Sequence, residues 1–289
     1  MSVDIAYTDE RQHPNHQQLL KSLKSGEYSF IDLGCGTGES IAHCENQFKR
    51  GKGIGFDISP SKIAGAIDNG YPAIFADVTK TDFDDDLVDF CTMMDFLEHL
   101  RTEEAAVAIL EAAGKVAKDF LFIRHPSFED RDYLESLELK LDWTDWSGHR
   151  NRMLLSDFHR VFASLGWSDY IIIPQKQILS SDHPAIVPVT AATDTVRYNA
   201  TVHGSKRFLT FNRPLWTQFD IYVRLSPDFL QQDWLNVVST SDQNSINELL
   251  SKENRRLFRK LSASKILPVE QSPSELSIIS SIRHRIFKR

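Results

Sequence analysis

A short apolar run over residues 28–33 stops at three alternating glycines, Gly34, Gly36 and Gly38. Beyond them Ile41, Cys44 and Phe48 recur at helical spacing, so the pattern predicts a buried strand, a tight turn and a helix in direct succession. The same alternation continues. Residues 53–58 read as a second strand, with Ser59-Pro60-Ser61 capping the next helix. Residues 73–78 read as a third strand, and 87–94 as a fourth whose near-continuous apolar character suits burial on both faces. An alanine-rich amphipathic helix over 102–118 leads to a fifth strand over 119–123. A helix over 155–165, stopped by Gly166, precedes a sixth strand over 167–173 ended by Pro174. A matching apolar run over 219–225 lies far downstream, and a short helix over 16–23, ended by Gly26, leads the chain in. Strand–helix alternation of this kind predicts an α/β doubly wound domain.

Composition narrows the class. The chain has 289 residues, 41% hydrophobic and 25% charged, as in ordinary soluble proteins. No apolar run approaches membrane-spanning length, and the N-terminus lacks the charged-then-apolar pattern of a signal peptide. Cys35, Cys44 and Cys91 have no metal-type spacing and read as reduced thiols of a cytoplasmic protein. The net charge of −7 is unevenly spread: from Ser251 onward ten Lys/Arg face three acids. The acidic body argues against a nucleic-acid partner, which needs a basic surface. Helices are expected over 228–238, 245–261 and 273–287. In the last, Leu276, Ile279, Ile282 and Ile286 share one face beside a basic end, which suits peripheral contact with an anionic membrane. A helix packed on the domain with a solvated charged face is the other reading.

The glycine loop carries the first chemistry. A dinucleotide fingerprint needs a glycine at position 39, where this chain has Glu39. Asp32 before the loop and Glu39 after it repel a pyrophosphate but suit a cationic amino-acid ligand. Asp57 closes the second strand, where a carboxylate can accept ribose hydroxyls or cap the following helix. The stretch from Asp32 to Gly38 resembles motif I of the class I S-adenosylmethionine-dependent methyltransferases. The resemblance implies a Rossmann-like, seven-stranded, mostly parallel sheet whose last strand, 219–225, inserts antiparallel beside strand five. It also implies S-adenosylmethionine as cofactor. Asp32, Gly34, Cys35, Gly36 and Gly38 would hold its methionine part, Asp57 its ribose hydroxyls and Asp77 its adenine amino group, with Ile58, Val78 and Met94 as further cofactor-binding residues. The chain departs from many relatives in having Ala117-Lys118-Asp119 where they carry Pro-Gly-Gly before strand five.

Ligands of open α/β sheets bind beyond the carboxyl ends of the strands. Two segments qualify: Asp95 to Leu100 after strand four, and Arg124-His125-Pro126 after strand five. Both bring an imidazole towards the expected methyl position, so His99 and His125 are the candidate catalytic residues, histidine being the natural base near neutral pH. Leu-Glu-His-Leu is also widespread in such enzymes as packing of the turn. A narrower resemblance exists to ubiquinone-type O-methyltransferases and to enzymes methylating RNA 3′ ends, which hold a divalent metal on acid-x-x-Glu-His. Asp95, Glu98 and His99 fit that pattern with a shorter first acid, and His125 could complete it; no metal is assigned. Asp95, Arg124, Trp146 and His149 are the candidate substrate-binding residues, the last two in a Trp- and His-bearing stretch that suits stacking on a polar ring.

The expected organisation is a helical lead over 1–27, a methyltransferase domain over 28–226 with substrate-side insertions near 127–153 and 175–217, and a basic helical extension over 227–289. The expected function is methyl transfer to a small polar acceptor, a hydroxyl of a sugar or glycan intermediate. The rivals are an inactive cofactor-binding scaffold and a metal-dependent RNA methyltransferase.

Overall fold

The computed structural model describes residues 16–81, 83–229 and 231–239. Five strands run parallel: β1 (Phe30–Leu33), β2 (Gly53–Asp57), β3 (Ala73–Phe75), β4 (Val88–Met94) and β5 (Ala117–Pro126). Four more follow: β6 (Leu139–Leu141), β7 (Tyr170–Ser180), β8 (Ile186–Pro188) and β9 (Thr210–Arg224). The main sheet has seven strands in the order β3-β2-β1-β4-β5-β9-β7, with β9 antiparallel to both β5 and β7. The expected mostly parallel doubly wound sheet is thus present, including the antiparallel strand beside strand five.

The helices are α1 (His16–Lys24), α2 (Glu39–Phe48), α3 (Pro60–Asp68), α4 (Glu103–Val116), α5 (Arg131–Glu135), α6 (Leu155–Ser164), α7 (Ala200–His203) and α8 (Gln231–Ser239). Strand alternation sorts the core between the two sheet faces. Phe30, Phe90 and Phe120 stand in register on β1, β4 and β5 and stack at 4.7 and 4.6 Å. Phe48 of α2 meets Phe90 and Phe120 edge-on at 5.4 and 5.5 Å, which seats that helix on this face. Each such fully buried ring contributes about 1.5–3 kcal/mol of transfer free energy. Their neighbours Ile31, Cys91 and Leu121 point the other way, into a core shared with Ala113 of α4 and Phe162 of α6.

Four expectations need correction. Strand three ends at Phe75, so Asp77 and Val78 belong to the turn beyond it. Strand five reaches Pro126, so Arg124 and His125 lie within it and, being consecutive, face opposite sides. Pro174 does not end the sixth strand: β7 continues through it to Ser180, with Pro174 opposite Phe219. β7 is the sheet's outer strand, where a residue lacking an N–H is tolerated.

Finally, the stretch 175–217 is not a long irregular loop. Its ends extend β7 and β9 as a paired arm, with Ile178 opposite Leu215. β8, from the same stretch, pairs antiparallel with β6, Lys140 opposite Val187. The two expected insertions therefore share a second small core of Leu134, Leu139, Leu141, Ile178, Ile186, Phe211 and Leu215. The expected helices at 245–261 and 273–287 lie outside the described residues.

Candidate active site

The loop after β1 turns three times through positive φ, at Gly34 (77°), Gly36 (55°) and Gly38 (92°). Gly34 and Cys35 donate their N–H groups to the Phe56 carbonyl, and Gly36 donates its N–H to Asp57 Oδ2 at 3.0 Å. The three glycines serve different ends. A Cβ on Gly34 would lie 2.2 Å from the Phe96 ring, and one on Gly38 2.3 Å from Tyr71. A Cβ on Gly36 would meet no atom within 4 Å, so only this glycine faces open space in front of the loop. The contact of Gly34 with Phe96 also brings the loop against the segment following β4.

Asp32 lies behind the loop. It is fully buried, and both oxygens are taken, by Ser40 Oγ at 2.5 Å and Thr92 Oγ1 at 2.6 Å. Burial, only partly opposed by those bonds, pushes its carboxyl up to about 6. It braces the turn rather than presenting a charge to a ligand. Asp57 is 7% exposed, and its Oδ1 also accepts the Ser59 N–H at 2.8 Å. Beside it Ile58 is 49% exposed, a large apolar side chain at a strand end with room for a ring to cover it. Asp77 is engaged by Thr79 and, at 3.0 Å, by Lys80. Desolvation is the largest single influence and raises its carboxyl, but the contacts with Thr79 and Lys80 together outweigh it and hold the carboxyl below the usual range. Val78 is buried in the core, as is Cys35, whose thiol burial pushes up. Met94, half-buried at the end of β4, contacts Cys44 sulfur to sulfur at 3.5 Å.

Past Met94 the backbone of Asp95 takes φ 48° and a single 3-10 turn, Leu97–His99, follows. Asp95 is exposed at its residue surface, yet desolvation by the groups packed around its carboxyl and the nearby Glu98 push that carboxyl up to about 6. The turn is tied to the 142–151 segment by Asn151, whose N–H reaches the Glu98 carbonyl and whose amide reaches that of Leu97. This tie gathers Glu98, His99, Trp146 and His149. Ring centroids lie 5.2 Å apart for His99 and His149 and 4.8 Å for Trp146 and His149. His99 and Trp146 are each 41% exposed, and they form the solvent face of the cluster. His99 Nδ1 lies 3.1 Å from the Gly148 carbonyl and His149 Nδ1 3.0 Å from that of Trp143. Burial lowers the His149 pKa below the usual imidazole range.

The other two candidates stand apart. His125 is 1% exposed, packed against Phe128 and Phe158, with Nδ1 3.4 Å from Glu98 Oε2. It touches the cluster from behind and reaches an acceptor only through Glu98. Arg124, on the opposite face of β5, is clamped by Asp220 with contacts of 2.7 and 2.9 Å. Sequence reasoning missed Asp220 as that partner, and Thr92 and Ser40 as partners of Asp32. An acid inside the apolar run 219–225 was the available signal for the first.

Residues 30–119 match the family described as a methyltransferase domain. The chain carries a class I methyltransferase domain. It is an S-adenosylmethionine-dependent enzyme domain, and the residues fit that cofactor: Gly36 leaves room at the loop, and Asp57 with Ile58 offers a carboxylate and an apolar face at the end of β2. No curated protein matches the chain in sequence. Among solved structures it is similar to an S-adenosylmethionine-dependent methyltransferase from Archaeoglobus fulgidus at 17% identity, TM-score 0.48, over 72% of this chain and 90% of that one. Another similar structure is a methyltransferase from Thermotoga maritima at 14% identity, TM-score 0.44, over 73% and 89%. A third is magnesium protoporphyrin IX methyltransferase from Synechocystis with bound S-adenosylmethionine, at 15%, TM-score 0.38, over 72% and 75%. At those identities and scores, nothing about an acceptor passes to this methyltransferase. No helix among the described residues is long and apolar enough to cross a membrane.

Proposed function

We propose that the methyltransferase acts on a hydroxyl of a small polar acceptor such as a sugar or glycan intermediate. The observation that carries this reading is the contact of the glycine loop, through Gly34 and Phe96, with the segment that presents Asp95, Glu98 and His99. S-adenosylmethionine supplies, when bound, an electrophilic methyl group on a sulfonium. The chain's own work is placement and proton handling. Gly36 admits the cofactor's amino-acid part, Asp57 uses its remaining lone pairs on the ribose hydroxyls, and Ile58 covers the adenine. Trp146 offers a wall for the acceptor ring, and Asp95 a hydrogen-bond acceptor that orients a hydroxyl. The Glu98–His99–His149 cluster takes up the hydroxyl proton as the oxygen attacks. The three free, buried cysteines suit a reducing, cytoplasmic setting.

The test is transfer of an isotopically labelled methyl group from S-adenosylmethionine to fractionated cell extract, alongside calorimetric titration with the cofactor, its demethylated product and NAD. Label in one hydroxylated small molecule is the expected result. Tight cofactor binding with no transfer to any fraction would leave a scaffold, and label in RNA would move the acceptor to nucleic acid.

A further inference from the structure

Large apolar side chains left on a protein exterior are normally scattered. Among the described residues the four most exposed, Leu179, Val196, Val202 and Phe208, all belong to the arm between β7 and β9, at 59% to 75%, and no other passes 49%. Hydrogen bonds gather them at one end of that arm. Ser181 donates its N–H to the Leu209 carbonyl at 2.9 Å and its hydroxyl to the Arg207 carbonyl at 2.8 Å, which sets the chain around Leu179 against that around Phe208. Tyr198 donates its N–H to the Pro184 carbonyl, and Lys206, 4.2 Å over the Tyr198 ring, donates to the carbonyls of His183 and Ile186. The segment bearing Val196 is thereby fastened to residues 181–186, and Val202 lines one cleft with Thr195. Val196 itself is held out on a pinned turn. Asp194 and Arg197 flank it at φ 63° and 62°, a strained conformation for residues other than glycine. Asp194 Oδ1 accepts the Ser147 N–H and the Arg197 N–H donates to Asp142 Oδ2, both at 2.7 Å. Apolar side chains fixed in water at one end of a lobe mark a surface that something else covers.

Charge selects the partner. Residues 176–208 carry Lys176, Arg197, Lys206 and Arg207 against Asp182 and Asp194, a net +2 in a chain of −7. Arg197 and Arg207 are exposed and stand next in sequence to Val196 and Phe208. A second copy docking by the same face about a two-fold axis would bring cation against cation. A nucleic acid would use the charges and leave the apolar side chains uncovered. Apolar side chains beside arginines match the boundary between lipid headgroups and acyl chains. We propose that this end of the arm docks on an anionic lipid membrane. Leu179, Val196, Val202 and Phe208 enter the headgroup layer, and Arg197 and Arg207 hold lipid phosphates. Contact of this kind is peripheral and needs no spanning helix. Because Asp194 is bonded to Ser147, docking brings the neighbouring Trp146 close to the lipid surface. That placement suits an acceptor presented from the membrane; this use of the face rests on the proposed function, while the contact itself does not.

The full chain is sedimented with vesicles of phosphatidylcholine alone and of phosphatidylcholine mixed with phosphatidylserine, at low and at physiological salt. Binding should require phosphatidylserine and weaken with salt. Val196→Asp combined with Phe208→Asp should weaken it at least about tenfold, through lost apolar insertion and added repulsion. The basic residues beyond 251 stay in place in every variant, so the loss reports the arm. Thermal melting and S-adenosylmethionine affinity, set by the loop and Asp57, should not change and so report that the variant folds. Should it fail to fold, Arg197→Ser combined with Arg207→Ser gives the same reading from two exposed side chains. No vesicle binding by the wild type, or equal binding by wild type and variants, overturns the proposal. So does a wild-type dimer in light scattering that Val196→Asp with Phe208→Asp separates, since a second copy would then cover the face. Failure of the wild type to bind the cofactor would instead sink the functional reading and leave the vesicle result legible.

Discussion

The Asp57 carboxylate holds the Gly36 backbone N–H at 3.0 Å, tying the end of one strand to the turn that follows its neighbour. One side chain thus sets the shape of the loop and offers its remaining lone pairs to a ribose. Replacing it loses both functions together. Asp57→Ala should lower S-adenosylmethionine affinity roughly ten- to a hundredfold, the range expected for hydrogen bonds to a charged group. Calorimetric titration checks this, and unchanged affinity would make Asp57 a helix-capping residue only.

Gly36 and Gly34 should respond differently to the same methyl group. Gly36→Ala meets no protein atom and bears only the strain of φ 55°, about 1–2 kcal/mol, so the variant should fold. Its added carbon stands where the cofactor approaches, and binding should be lost. Gly34→Ala must displace the Phe96 ring, and thermal melting should show it to be the more destabilised variant.

The fold was legible because its signals are local: apolar runs stopped by glycine, helical spacing after each, and an acid closing the second strand. What was not legible depends on which face a residue takes once register is set. Arg124 and His125 look like one cluster in the sequence, but strand alternation sends them to opposite sides of β5. His149 lies 50 residues beyond His99, and the Asn151 bonds to Glu98 and Leu97, with the His99 contact to the Gly148 carbonyl, bring the two segments together. The 175–217 stretch reads as a loop because proline, serine and threonine mask an arm whose pairing partner is distant in sequence.

Arg124 was expected to bind substrate, yet its guanidinium is matched to Asp220, which is 2% exposed at its side chain. Asp220→Ala leaves a largely buried cation without its partner and should destabilise by about 3–5 kcal/mol. Replacing both, Arg124→Met with Asp220→Leu, should cost much less. If that double variant keeps the wild-type KM for the acceptor, Arg124 is structural; a KM raised at unchanged cofactor affinity would restore its substrate role. Chemical denaturation and steady-state kinetics read the two effects separately.

Asp32 predicts a pH dependence of stability. Its carboxyl titrates at about 6 in the fold against 3.8 as the ordinary value, so the folded state holds the proton more tightly than the unfolded. The contribution is fully present below the unfolded pKa and is lost as pH rises through the folded one, by up to about 3 kcal/mol. Asp32→Asn does not titrate. The melting temperature of the variant minus that of the wild type should therefore rise between about pH 4 and about pH 7. A constant difference would mean that burial does not act on the Asp32 charge.

His99 decides how the acceptor's proton is handled. Its ring is the exposed member of the cluster, and its loss should lower turnover roughly a hundredfold while cofactor affinity, fixed at the glycine loop and Asp57, stays the same. Two chemistries give that loss and respond to different additions. If His99 acts as a free base, raising the pH should partly restore His99→Ala as solvent base takes over. If His99 is a metal ligand, excess divalent metal should restore it by refilling a weakened site, and pH alone should not. His125→Ala offers a second check, because that ring meets the cluster only through Glu98 Oε2. Its removal should weaken ion binding about ten- to a hundredfold if it orients a ligand, and leave the pH response of turnover as it was. Full activity in both single variants would show that the histidines only pack the turn and that transfer proceeds by placement of the acceptor alone.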